Sequence, residues 1–297
     1  LRRFTRRHGW RAYALPVLVV VTIAALTTVD SDHRSSSLSA KASPTTRSAT
    51  TRSTTGPVTT TASALAPAPT SQVKVEAGGN AEDLADSALP PGAPYTVKGK
   101  GTFRVIPGSS SVVGTGPVKK YVIEVENGIT GVNLDYFAAF VVATLSDKRS
   151  WTGNGVVSLE RVSSDASADF RVSLTSALTV RTLCGYDQKI ETSCWENQLP
   201  DGTPTVSRVN LDVARWVRGD TQFGQDLNAY HGYMVNHEVG HALGHVHTYT
   251  CLPGGLAPVM MQQTITLKEN QGAGPKICQP NIWPYPAGVD PRVAVPT

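Results

Sequence analysis

Cysteine is scarce, with four among 297 residues, and no two of them stand as a CxxC pair. That spacing argues against a second, cysteine-based metal site, and the even count suits disulfides in an oxidising compartment. Large apolar residues are nearly missing between Ser31 and Gln72, where Ser, Thr, Ala and Pro dominate. Such a stretch buries too little surface to offset its ordering entropy, which excludes a folded domain there. A basic field is also missing from most of the chain. The net charge is +4, but residues 1 to 72 alone hold nine Lys or Arg against two Asp, so the remainder carries about −3. The exported part therefore lacks the footprint of a nucleic-acid binder, and no nucleic acid is expected as a partner. Arg215 and Arg218 beside Trp216 do not change this, because one aromatic with flanking charge reads as a solvated strand edge.

Long apolar runs are missing everywhere but at the front. Arg2, Arg3, Arg6, Arg7 and Arg11 precede a run from Ala12 to Val29. Its length, roughly 18 residues, exceeds the usual core of a signal peptide, and no small-x-small cleavage site closes it. An uncleaved anchor is favoured over a removed signal, with the arginines inside and the rest outside. The expected organisation is a basic flank at 1–11, an anchor or signal segment at 12–29, a disordered stalk at 30–94 and one folded domain at 95–297. The domain is expected at the cell surface as a monomer, or secreted if the segment is cleaved.

Chemistry is concentrated in one short stretch. Residues 237–247 read His-Glu-Val-Gly-His-Ala-Leu-Gly-His-Val-His, which fits HExxHxxGxxH. On a helix, His237 and His241 lie one turn apart on the same face, so both imidazoles reach one ion. Glu238 is placed to hold a water at the open coordination position without becoming a ligand. A straight helix would carry His247 away; Gly244 permits a left-handed exit that returns it. His245 competes as third ligand, but it follows the break at once and leaves less chain for the return. The expected ligands of one catalytic Zn2+ are therefore His237, His241 and His247, with Glu238 as general base. A glutamate third ligand is disfavoured: Glu269 is the only acidic candidate soon after, and it would leave Gly244 and His247 unexplained.

The approach to this stretch reads as a helix. Phe223, Leu227, Tyr230, Met234, His237 and His241 recur every three or four residues on one inward face, with Asp220 or Thr221 as cap. Before it come short alternating segments that read as strands: Thr102 to Ile106, Lys120 to Glu126, Val156 to Val162, Phe170 to Thr175 and Val206 to Leu211. One helix, Leu134 to Leu145, interrupts them. Mixed strands with segregated helices indicate an α+β fold. Among three possible disulfide pairings, Cys184 with Cys194 and Cys251 with Cys278 are favoured, because each brackets a loop-rich segment containing Gly or Pro. The second would enclose Pro258 to Met261. Cys251 as a zinc ligand is set aside, since three histidines fill the protein's share of a catalytic zinc.

With Pro258-Val259-Met260-Met261 downstream, the extended pattern resembles the metzincin clan of zinc peptidases, in which a methionine-containing turn lies beneath the metal. The stretch from about Tyr95 onward is more closely similar to an actinobacterial family of secreted metzincin-like proteins, known as a domain of unknown function. Gly101 to Val105, Thr144 to Trp151, Ala214 to Gly219, Asn236 to His247, Ala257 to Gln263 and Pro280 to Pro284 carry that likeness.

The resemblance implies a mixed twisted sheet on a long ligand helix, with a cleft between that helix and a sheet edge where an extended peptide can add as a strand. It also implies Met260 as the turn methionine, with Met261 as the fallback. Several metzincins carry an assisting tyrosine two residues after that methionine; here Gln262 stands there, and Tyr249 and Tyr285 are the candidates to replace it. The function expected is zinc-dependent hydrolysis of peptide or protein substrates outside the cytoplasm. A non-catalytic cell-envelope scaffold that keeps its zinc and an amidase of peptidoglycan cross-bridges are the alternatives.

Overall fold

The computed structural model describes residues 87–185, 190–224, 226–269 and 276–295. The basic flank at 1–11, the segment at 12–29 and the stalk as far as residue 86 lie outside the described residues. Among those described, no helix is long and apolar enough to cross a membrane.

Six strands form one mixed sheet: β1 (Phe103–Val105), β2 (Val118–Glu126), β3 (Ser158–Arg161), β4 (Phe170–Thr175), β5 (Cys194–Gln198) and β6 (Pro204–Asp212). The order is β1-β2-β4-β6-β5, and β3 also pairs with β2. The pairs β2/β3, β2/β4 and β4/β6 are parallel, whereas β1 and β5 run antiparallel to their neighbours. The sheet with its helices is the expected α+β arrangement. Four of the five expected strands differ from it only at their ends, and β4 has the expected bounds. Strand β5 was not foreseen. Its sequence, Cys-Trp-Glu-Asn-Gln, lacks the β-branched alternation that marks a strand, and it is held by pairing to β6 and by the Cys184–Cys194 disulfide.

Alternation along the strands divides the sheet into two faces. Tyr121, Ile123, Val125, Phe170, Val172, Leu174, Val209 and Leu211 point into the main core, each essentially inaccessible. Burying a side chain of this size contributes about 1.5–3 kcal/mol before entropy is counted. This face is covered by α1 (Leu134–Ser146) and by the long helix α4 (Leu227–Ala242). Helix α1 starts because the Asn133 side chain accepts from the Tyr136 N–H, and it buries Phe137, Ala138, Val141, Thr144 and Leu145 at helical spacing. The opposite face carries Glu126, which accepts from the backbone N–H groups of Gly101 and Ser176 and from the Thr179 hydroxyl. Those bonds anchor the start of α2 (Ala177–Cys184), a second element the strand-rich reading passed over.

Three local expectations are corrected. First, α3 (Val213–Arg218) is a short helix, not a strand edge, and Arg215 is fully buried in an ion pair with Asp220 at 2.8 Å. Trp216 is buried too, lying flat on His231 with ring centroids 3.7 Å apart. Second, Asp220 caps the short 3-10 turn Thr221–Phe223, while Asp226 caps α4 by accepting from Ala229. Phe223 thus precedes the helix, and Leu227 is 38% exposed. Third, α4 is not one-sided: every residue from Tyr230 to Gly240 is buried. It is enclosed by the sheet, by α1 and by the chain that follows, so a single inward stripe does not describe it. Residues 87–94, assigned to the stalk by composition, lie against α3, where Arg215 donates to the Ser87 carbonyl and Arg218 to the Ala93 carbonyl.

A candidate metal centre at the end of the long helix

Helix α4 ends where its sequence demands it. The N–H of Gly244 donates to the His241 carbonyl and that of His245 to the Gly240 carbonyl, both at 2.9 Å, the paired bonds of a Schellman ending. Gly244 has φ +97°, a conformation an L side chain adopts only under strain. The chain reverses there and returns His247 toward the helix. His237, His241 and His247 each then offer one ring nitrogen, and the three nitrogens lie within 4.8 Å of one another. Nε2 of His241 stands 3.1 Å from Nε2 of His247. That spacing is short enough for both nitrogens to reach one metal ion.

In His237 and His241 the second ring nitrogen is paired with main chain, which fixes how these two imidazoles face. Nδ1 of His237 is paired with the Val259 carbonyl, and Nδ1 of His241 with the His245 carbonyl, each at 2.8 Å. With a carbonyl as partner, Nδ1 carries the proton and Nε2 keeps its lone pair for a cation. Burial first, and then the neighbouring imidazoles, hold His237 well below the ordinary histidine range; the same two causes bring His247 down to about 4. Neutral imidazoles are the form a metal requires. His245 takes no part in the triad. Its ring is stacked on Trp151 at 4.4 Å and 15°.

Glu238 is 6% exposed and lines the same cavity, of about 390 Å³, as His237, His241 and His247. No described residue donates a hydrogen bond to its carboxyl, and burial pushes it up to about 8. The cavity runs from the triad along β5, past Ser193, Cys194 and Trp195, to Arg181 and Glu191.

Beneath the three histidines, Pro258 to Met261 form a turn closed by the Met261 N–H on the Pro258 carbonyl. Met260 is 3% exposed, and its sulfur lies against Gly240, one residue before His241. Met261 belongs to a separate cluster with Ala257, Leu267 and the Cys251–Cys278 disulfide. The turn is held by side chains that sequence patterning did not single out. The Gln263 amide donates to the carbonyls of Pro258 and Asn281, and the Asn281 amide donates to those of Ala257 and Trp283. Each lies in a stretch that carried the family likeness, which was the available signal.

The three alternative residues fall in different places. The Tyr249 hydroxyl donates to Oε1 of Gln262 at 2.5 Å, and Gln262 lines the cavity. Tyr285 accepts from Asn154, away from the triad. Glu269 accepts from the Cys251 N–H through Oε1. Both expected disulfides are present, Cys184 with Cys194 and Cys251 with Cys278, and they point to an oxidising, extracytoplasmic compartment.

Fold and site together define an α+β domain with a three-histidine group suited to a metal ion at the end of the longest helix among the described residues. Residues 89–286, about two thirds of the chain, match the family model described as a protein of unknown function, DUF3152, and the chain belongs to that family. No curated protein and no solved structure matches the chain.

Proposed function

We propose that this domain is a metallopeptidase of metzincin type that binds Zn2+ through His237, His241 and His247. The observation that carries the reading is Glu238: a buried carboxyl, free of hydrogen bonds from described residues, in the wall of the cavity onto which three neutral imidazoles open. A structural metal site has no use for such a group; its burial without a partner is costly, and a role in carrying a proton accounts for keeping it there. A zinc ion, when bound, supplies acidification of water and polarisation of a substrate carbonyl. With a cation bound beside it, Glu238 would be held as the carboxylate, the form that accepts the proton of the attacking water and returns it to the departing amine.

Gln262 takes the place of the assisting tyrosine. Tyr249 fixes its Oε1, which leaves the amide N–H groups to donate to the carbonyl oxygen as charge develops there. The substrate is an extended peptide. Strand β5 pairs only with β6 among the described strands, so its other edge offers backbone groups beside the triad. An exported domain held on a stalk by the segment at 12–29 would meet such peptides at the cell surface, on proteins or in the wall. Incubation of the zinc-loaded chain and of Glu238→Gln with a mixed peptide pool, read by mass spectrometry, tests the reading: cleavage by the parent alone supports it, and equal cleavage by both contradicts it.

A further inference from the structure

Trp151 belongs to a stretch whose role the peptidase reading leaves unexplained. It opens the short 3-10 turn Trp151–Asn154 after α1, far from the ligand helix in sequence, and it is 1% exposed. Its indole N–H donates to the Asn236 carbonyl at 2.8 Å, and the neighbouring Ser150 hydroxyl meets the Asn236 side chain at 2.7 Å. Asn236 immediately precedes His237. Further along the ring, Cζ2 lies so close to Gly240 that a Cβ there would stand 2.6 Å away, so the indole touches the helix between His237 and His241. The face of the ring carries the imidazole of His245.

His245 is connected to the triad through its main chain. Its N–H closes the helix on the Gly240 carbonyl, and its carbonyl accepts Nδ1–H of His241. Wherever the His245 ring is held, the carbonyl that orients His241 and the two residues that return His247 are held with it. We propose that Trp151 and His245 form a stacked pair that positions two metal ligands, His241 through the His245 carbonyl and His247 through the direction of the turn. Neither residue is itself a ligand. Trp151 is a positioning residue of the metal centre, and His245 is retained for its flat ring, not for its nitrogen. The inference requires a bound metal but no peptidase activity.

Removing a group that orients a metal ligand commonly costs 10–100-fold in affinity. The full chain and its His245→Phe, His245→Ala and Trp151→Phe variants are titrated with Zn2+ against a competing chelator. Visible spectra are taken with Co2+, and thermal unfolding is followed without metal. His245→Phe keeps the stack and is expected to bind within about 3-fold of the parent, with an unchanged Co2+ spectrum. His245→Ala is expected to lose about 10-fold or more and to shift the Co2+ bands, while its metal-free unfolding temperature stays near that of the parent. Trp151→Phe should fall between the two; if it fails to fold, the His245 pair still decides. A merely structural role would lower the metal-free unfolding temperature and leave the spectrum unmoved. Parent-like affinity and spectrum in His245→Ala would overturn the proposal. So would loss of metal from His245→Phe as complete as from His247→Ala, since that would make the His245 imidazole a ligand.

Discussion

Nδ1 of His237 and the backbone carbonyl of Val259 lie 2.8 Å apart, a hydrogen bond that joins the histidine-bearing helix to the methionine turn. The bond decides the tautomer of the most buried of the three histidines. It also explains why the turn is tied down on three sides: to the helix by Tyr233, whose hydroxyl donates to the Met261 carbonyl, to the C-terminal segment by Gln263 and Asn281, and to the chain past His247 by Cys251–Cys278.

Glu238 is the proton carrier in this account, and it is not a ligand. Glu238→Gln is therefore expected to bind one zinc as the parent does while hydrolysis falls on the order of 10²–10⁴-fold. Metal content and turnover measured on the same sample check both halves.

Gln262→Leu keeps the volume near Tyr249 but removes the amide donors. Turnover is expected to fall about 10²-fold with zinc content unchanged and KM little altered, because a donor to developing charge acts in the transition state. A change confined to KM would assign Gln262 to ground-state binding.

Gly244 has nothing within 4 Å of the position a Cβ would take, so a side chain there meets strain and not crowding. Gly244→Ala is expected to lower stability by about 1–2 kcal/mol and to weaken zinc binding through displacement of His247. Chemical denaturation and metal titration measure the two effects separately.

His231 gives a pH signature away from the triad. Its Nε2 is bonded to the Trp216 carbonyl and its Nδ1 is buried without a partner, and burial brings its pKa down to about 4. Below about pH 6.5 the unfolded chain takes up the proton first, so this contribution to stability is present at neutral pH and is lost as pH falls toward 4. The loss saturates at roughly 3 kcal/mol. Asp212 and Glu196, raised to about 7 by burial, act in the opposite sense and lose stability as pH rises through that value. The histidine is isolated by NMR titration of its ring, expected to stay neutral down to about pH 4.

The convergence of the three histidines was legible because the physics is local: one helical turn separates His237 from His241, and Gly244 supplies the reversal. Strands with β-branched alternation were legible for the same reason. Strand β5 and helix α2 were not, because a disulfide and the buried Glu126 carboxylate hold them, and both are long-range partnerships. Trp151 was visible only as part of a likeness. Its meaning depends on a stack with His245 that no spacing rule anticipates. Arg215 misled in the other direction, since a charge beside an aromatic looks solvated until Asp220 is seen to neutralise it.

The most direct test is elemental analysis of the purified chain after equilibration with trace Zn2+ and removal of loosely held ion, beside His237→Ala and His247→Ala. The account predicts one zinc per chain in the parent and close to none in either variant. A parent without stoichiometric metal, or a His247→Ala variant that retains it in full, would contradict the three-histidine centre.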